Sequence, residues 1–132
     1  MPATEAGHHL FAWIGRTDLK AAAGDPEAGS GPIAQAVLAE PYKTIHLLSD
    51  FSSAETKDYV KWLVGQTTAE VQAYPSKLSS PTNFGEIYEA VTAVLDRLQA
   101  IKKQLTFHLS PGTPAMAAVW ILLAKTTWPA RL

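Results

Sequence analysis

With 132 residues, 47% of them hydrophobic and four of them tryptophan, the chain can bury one sizeable core and is too apolar to be a disordered tail. The absence of cysteine excludes a disulfide framework, a thiolate metal site and a cysteine nucleophile, and makes a reducing cytoplasm its natural home. Lys+Arg 11 against Asp+Glu 12, a formal charge of −1, argues against a grip on long nucleic acid by general electrostatics but is compatible with a small anionic ligand.

Met1–Gly7 is small and polar and reads as a loose arm. It lacks the basic start and long apolar core of a signal peptide, and no apolar run reaches the ~20 residues that span a bilayer, so no membrane partner is expected. His8 and His9 are adjacent and point to opposite sides of an extended chain, which does not make a shared metal site. His9–Ile14 is apolar on both faces, as a central parallel strand would be, and it ends at Gly15-Arg16-Thr17-Asp18. Leu19–Pro32, rich in Ala, Gly, Asp, Pro and Ser, reads as a mobile loop.

Ile33–Glu40 then forms a short helix with Ile33, Val37 and Leu38 on one side, stopped by Pro41. Thr44–Leu48 is a second buried strand closing in Ser49-Asp50-Phe51-Ser52-Ser53, where Ser52 or Ser53 caps a helix through Gln66. Its inner face is Tyr59, Val60, Leu63 and Val64. Glu70–Tyr74 alternates and is placed as a third strand nearer the sheet edge. Phe84–Lys103 carries the clearest helical period, with Phe84, Ile87, Tyr88, Val91, Val94, Leu95, Leu98 and Ile101 on one stripe.

A fourth strand, Leu105–Leu109, runs through Ser110-Pro111-Gly112-Thr113 into the apolar helix Pro114–Lys125. Pro129–Leu132 looks like a fifth strand just beginning, which suggests a fragment of a longer, multidomain protein. Strand–helix alternation predicts an α/β, Rossmann-like three-layer sandwich: a parallel sheet of about five strands, order 3-2-1-4-5, with helices on both faces, residues 1–132 being one ligand-sensing domain. Ligands of such sheets sit at the carboxyl ends of the strands where the order reverses. That point brings Gly15, Arg16 and Thr17 beside Ser110, Gly112 and Thr113, and Ile14 is expected to pair with Leu109.

Gly112 lets backbone approach a ligand, Thr113 can cap the last helix, and Pro114 suits its first position. The N–H groups of Gly112, Thr113, Ala115 and Met116 then stand near the positive end of a helix dipole, a usual way to hold phosphate. A β-branched residue at Gly112 is expected to obstruct the ligand and leave the buried helix intact. Arg16 can act as a phosphate fork or stand as a solvated loop charge, the first being favoured because Gly15 leaves room for a ligand. Ser49 and Asp50 can meet a ribose hydroxyl, although Ser-Asp-x-Ser-Ser is equally a helix start. No dinucleotide fingerprint, P-loop or two-histidine helical metal motif is present, so no cofactor, no metal and no catalytic residue is assigned.

His46 and His108 fall inside predicted strands and read as satisfied core histidines. A nucleophilic Ser110 would have His108, two residues back, as its nearby base, and hydrolase chemistry is set below binding. The final helix is apolar all round, through Met116, Val119, Trp120 and Leu123 on one side and Ala117, Ala118, Ile121 and Leu122 on the other. Such a helix in a small domain is either unusually buried or docks against a second copy.

The segment His108–Met116, with Trp120–Leu123 and Pro129–Leu132, resembles the C-terminal half of a CRISPR-associated Rossmann-fold (CARF) domain. More narrowly, Pro81-Thr82-Asn83-Phe84-Gly85-Glu86-Ile87-Tyr88 together with the Gly-Thr loop resembles the N-terminal sensor of bacterial RNA-repair operon regulators, which are alternative-sigma-factor-dependent transcriptional activators. The resemblance implies a homodimer joined through the Pro114–Lys125 helix. It implies an RNA-derived or cyclic oligonucleotide ligand near Arg16, Thr17, Ser110, Gly112 and Thr113, and DNA contacts only through other domains. Pro114 stands where many such domains carry a basic residue. The alternative within the resemblance is the CARF domain of a CRISPR accessory protein that binds cyclic oligoadenylate, with or without ring-nuclease activity.

Overall fold

The computed structural model describes residues 8–100 and 103–132. Four parallel strands form the sheet: β1 His8–Trp13, β2 Thr44–Ser49, β3 Glu70–Pro75 and β4 Gln104–Phe107, in the order β3-β2-β1-β4. The helices are α1 Arg16–Ala22, α2 Gly31–Ala39, α3 Ser53–Val64, α4 Phe84–Arg97 and α5 Pro114–Ala124. β1 and β2 are buried nearly throughout because helices cover both their faces, whereas β3, at the edge, alternates between exposed and half-buried.

Two cores result. Phe11, Trp13, Leu48 and Phe107 pack with Ile87, Val91, Met116, Val119 and Trp120 of α4 and α5. Leu10, Ala12, Ile45 and Leu47 pack on the opposite face with Ile33, Val37, Tyr59 and Leu63 of α2 and α3. Burial of these apolar side chains is worth roughly 1.5–3 kcal/mol each, which is what closes the three layers.

The fold departs from the sequence reading at several points. The expected fifth strand is a single parallel bridge between Thr106 and Arg131: the Arg131 N–H donates to Leu105 and its carbonyl accepts from Phe107. Pro129 has no N–H to extend that ladder. The expected loop Leu19–Pro32 holds most of α1 and a one-turn 3-10 helix, Pro26–Ala28, because Ala21 and Ala22 favour helix and Asp18 closes the first turn on Gly15.

α2 starts at Gly31, and Leu38 is 62% exposed while Ala34 takes its place inside. Val64 of α3 and Phe84 and Tyr88 of α4 also face outward. α4 stops at Arg97, where Leu98 caps it and Gln99 takes a left-handed φ of 51°; Ile101 and Lys102 lie outside the described residues, as does the arm Met1–Gly7. β4 ends at Phe107, registered on Phe11, so Ile14 and Leu109 do not pair, and Ile14 instead donates to Leu48. Among the described residues, no helix is long and apolar enough to cross a membrane.

Candidate functional site

The turn before α5 is fixed by its own residues. Thr113 is the N-cap, its hydroxyl accepting from the Met116 N–H at 3.3 Å, and Pro114 occupies the first helical position. The same hydroxyl donates to the Pro81 carbonyl at 2.7 Å, so the Gly-Thr turn grips the segment that starts α4. The Thr113 N–H is turned toward Met116 Sδ at 3.4 Å. Of the four donors expected here, Met116 and Thr113 are thus engaged, and Gly112 and Ala115 have no acceptor among the described residues.

Gly112 has φ +85°, a left-handed conformation, and a Cβ added to it would lie 2.5 Å from Met116 Sδ. Gly15, which caps α1, has an ordinary φ of −105°, but its added Cβ would lie 2.7 Å from the Gly112 nitrogen. The turns after β1 and β4 therefore meet backbone to backbone, which is the juxtaposition expected from the strand order. The Gly15 N–H itself is not offered outward, because it donates to Asp18 Oδ2 at 2.8 Å.

Arg16 and Thr17 are exposed on the first turn of α1. The Arg16 guanidinium lies over the Phe51 ring, 5.4 Å from its centroid, which sets its direction toward the turn after β2. Asp18 is fully buried; desolvation pushes its carboxyl above the usual carboxylate range, and backbone donors from Ile33 and Gly15 oppose that rise.

The remaining sequence-chosen residues stand differently. Ser49 is buried, with its hydroxyl bonded to Thr56 Oγ1 at 2.7 Å and accepting from the Phe51 N–H at 3.2 Å. Asp50 accepts the Leu78 N–H at 2.7 Å and so ties the turn after β2 to the segment after β3. Ser110 is exposed, and His108 directs Nε2 to the Pro32 carbonyl at 2.9 Å; no hydrogen bond joins it to Ser110 among the described residues. His46 is a satisfied core histidine, bonded through one ring nitrogen to His9 at 2.7 Å and through the other to the Tyr74 hydroxyl at 2.8 Å.

The structure thus brings Gly15 against Gly112, with Thr113 next in the same turn, and aims the Arg16 guanidinium at Phe51 of the turn after β2. It leaves Thr17 and Ser110 exposed and gives Ser49 and Asp50 internal partners. Sequence reasoning missed the roles of Asp18 and Phe51, whereas Pro81 stood in the motif that carried the resemblance. The carboxylate three residues after Gly15 was the one signal available, since a cap and an acidic third position mark a helix start.

No protein-family model matches the chain, and no curated protein matches it in sequence. Among solved structures it is similar to Enterococcus italicus Csm6 bound to cyclic hexa-2'-fluoro-hexa-dAMP, with a TM-score of 0.72 and 16% identity over 90% of this chain and 31% of that one. It is also similar to Can2 from Sulfobacillus thermosulfidooxidans in complex with cyclic tetra-adenylate, with a TM-score of 0.61 and 11% identity over 89% of this chain and 29% of that one. The chain spans about a third of the length of each. At these identities the likeness is one of fold, and the fold is CARF-like.

Proposed function

We propose that the chain is a ligand-sensing domain for a cyclic oligoadenylate, holding one phosphate of the ring between the start of α5 and Arg16. The observation that carries this reading is the backbone contact of Gly15 with Gly112 at the carboxyl end of the sheet. It sets the turn that carries the exposed Arg16, whose guanidinium rests over Phe51, beside the turn whose Gly112 and Ala115 N–H groups are unengaged at the start of α5. Two proteins of the same fold, solved with cyclic oligoadenylate-type ligands, support the choice of ligand class.

Arg16, Thr17, Ser110, Gly112 and Thr113 are the ligand-facing residues in this reading, and Ser49 and Asp50 shape the turn that carries Phe51. The domain acts by binding, without chemistry of its own, in the cytoplasm and as a homodimer through α5. A narrower reading, in which the sensor controls an alternative-sigma-factor-dependent activator, draws support from the Pro81–Tyr88 motif, which Thr113 grips directly. An ATPase module encoded after Leu132 would favour that reading, and a nuclease domain would favour a CRISPR accessory protein.

Calorimetric titration with cyclic tetra-adenylate and cyclic hexa-adenylate tests the proposal. A charge-assisted hydrogen bond contributes roughly 1.5–3 kcal/mol, so Arg16→Ala is expected to weaken binding about 10- to 100-fold while circular dichroism stays unchanged. Failure of the folded wild-type domain to bind either ring overturns the ligand class. Ring cleavage by the purified domain overturns the non-enzymatic reading.

A further inference from the structure

Two side chains near the candidate site hold one short segment from opposite sides. The Ile33 N–H, in the first turn of α2, donates to Asp18 Oδ1 at 3.0 Å, and the carbonyl of the preceding Pro32 accepts from His108 Nε2 at 2.9 Å. Asp18 Oδ2 takes the Gly15 N–H, so each carboxylate oxygen holds one backbone donor inside the protein. A continuous path runs from Gly15 through Asp18, Ile33 and Pro32 to His108. It links the turn after β1 to the turn after β4 by a second route beside the Gly15–Gly112 contact.

Capping of α1 explains only half of it. A carboxylate at the third helical position needs to reach back to the cap N–H, as Asp18 does to Gly15. Capping does not require its other oxygen to bind Ile33, fifteen residues on, nor His108 to reach Pro32 across 76 residues. A buried carboxylate costs desolvation free energy, and here it is spent on joining two loops.

We infer that Asp18 and His108 are positioning residues: through Pro32 and Ile33 they fix the turns after β1 and β4 against each other, and so set the spacing between Arg16 and the start of α5. The inference deepens the proposed function and rests on it for its effect on ligand. The linkage between turns is independent of any ligand and is tested separately.

Three variants separate positioning from bulk stability. His108→Leu removes the donor to Pro32, His108→Gln retains an N–H donor, and Asp18→Asn places an NH₂ group against a backbone N–H. Each is titrated with cyclic tetra-adenylate and cyclic hexa-adenylate at a temperature where it is fully folded, and its amide NMR spectrum is recorded without ligand. His108→Leu and Asp18→Asn are each expected to weaken binding roughly three- to tenfold, with His108→Gln close to wild type. The double variant Asp18→Asn/His108→Leu should lose less than the product of the two singles, since both cut one path.

In the ligand-free spectra, His108→Leu should move the amides of residues 15–17. Amide shifts confined to residues 106–114, or affinity unchanged in folded His108→Leu, overturn the inference. If the wild type binds neither ring, the proposed function fails by itself, and the amide shifts alone decide whether the linkage exists.

Discussion

At Gly112 the backbone, rather than a ligand, sets the demand for glycine. Its φ of +85° and the 2.5 Å approach of an added Cβ to Met116 Sδ mean that Gly112→Val strains the turn itself, contrary to the expectation that the helix would stay undisturbed. Urea denaturation should show a loss of roughly 1–3 kcal/mol for this variant, and a wild-type midpoint would mean that Met116 swings clear and the turn leaves the left-handed region. The histidine pair gives a second effect at this scale. Burial lowers the pKa of His9 to about 4 and that of His46 to about 3, with nearby Lys103 acting the same way on both.

Because both folded values lie below the ordinary 6.5, the unfolded chain binds more protons in that interval. The stability from these two groups is complete above about pH 6.5 and is lost as pH falls toward 4 and 3. Asp18, whose carboxyl is raised by burial, works in the opposite sense at the acid end. Denaturant unfolding at pH 7 and pH 5 should therefore differ by on the order of 4 kcal/mol, about half from each histidine, and His46→Gln, which keeps a hydrogen-bonding side chain without titrating, should flatten part of that slope.

Among the elements, α5 is the one whose pattern exceeds its local need. Met116, Val119, Trp120 and Leu123 fill the core under it, while Ile121 and Leu122 on its outer side are each 42% exposed. A helix apolar all round in so small a unit needs a second surface. On the proposed dimer, Ile121→Lys with Leu122→Lys should halve the mass seen by sedimentation and leave the circular dichroism spectrum intact. A dimer that survives both charges places the interface elsewhere. α1 shows the converse: at seven residues it is too short to persist alone and exists because Asp18 and Ala21 are buried against the rest of the fold.

Over the whole molecule, the turns at the carboxyl ends of all four strands are tied together: Gly15 against Gly112, Arg16 over Phe51, Asp50 to Leu78, and Thr113 to Pro81. Arg131 pairs with Glu40, and both side chains are substantially exposed. An exposed ion pair is worth little, so Arg131→Ala should change stability by no more than about 1 kcal/mol in urea unfolding, with the parallel bridge to Thr106 retained through backbone bonds alone. A larger loss would mean that the side chain anchors the C-terminal segment.

Strands β1 to β4 and the cap at Thr113 were legible in the residues, because apolar runs, alternation and Thr-Pro chemistry act over a few neighbours in sequence. The expected sheet of about five strands was one too many, and the observed order β3-β2-β1-β4 agrees with the expected 3-2-1-4-5 over its first four strands. The same local rules located Gly15, Arg16, Gly112 and Thr113 at one end of the sheet. Tertiary structure decided that the seven-residue α1, locally favoured though it is, would persist, that Asp50 would take the Leu78 N–H, and that Arg16 would rest on Phe51. Those outcomes depend on which distant backbone donors a buried oxygen meets once the layers close, and the Asp18 bond to Ile33 and the His108 bond to Pro32 exist only then.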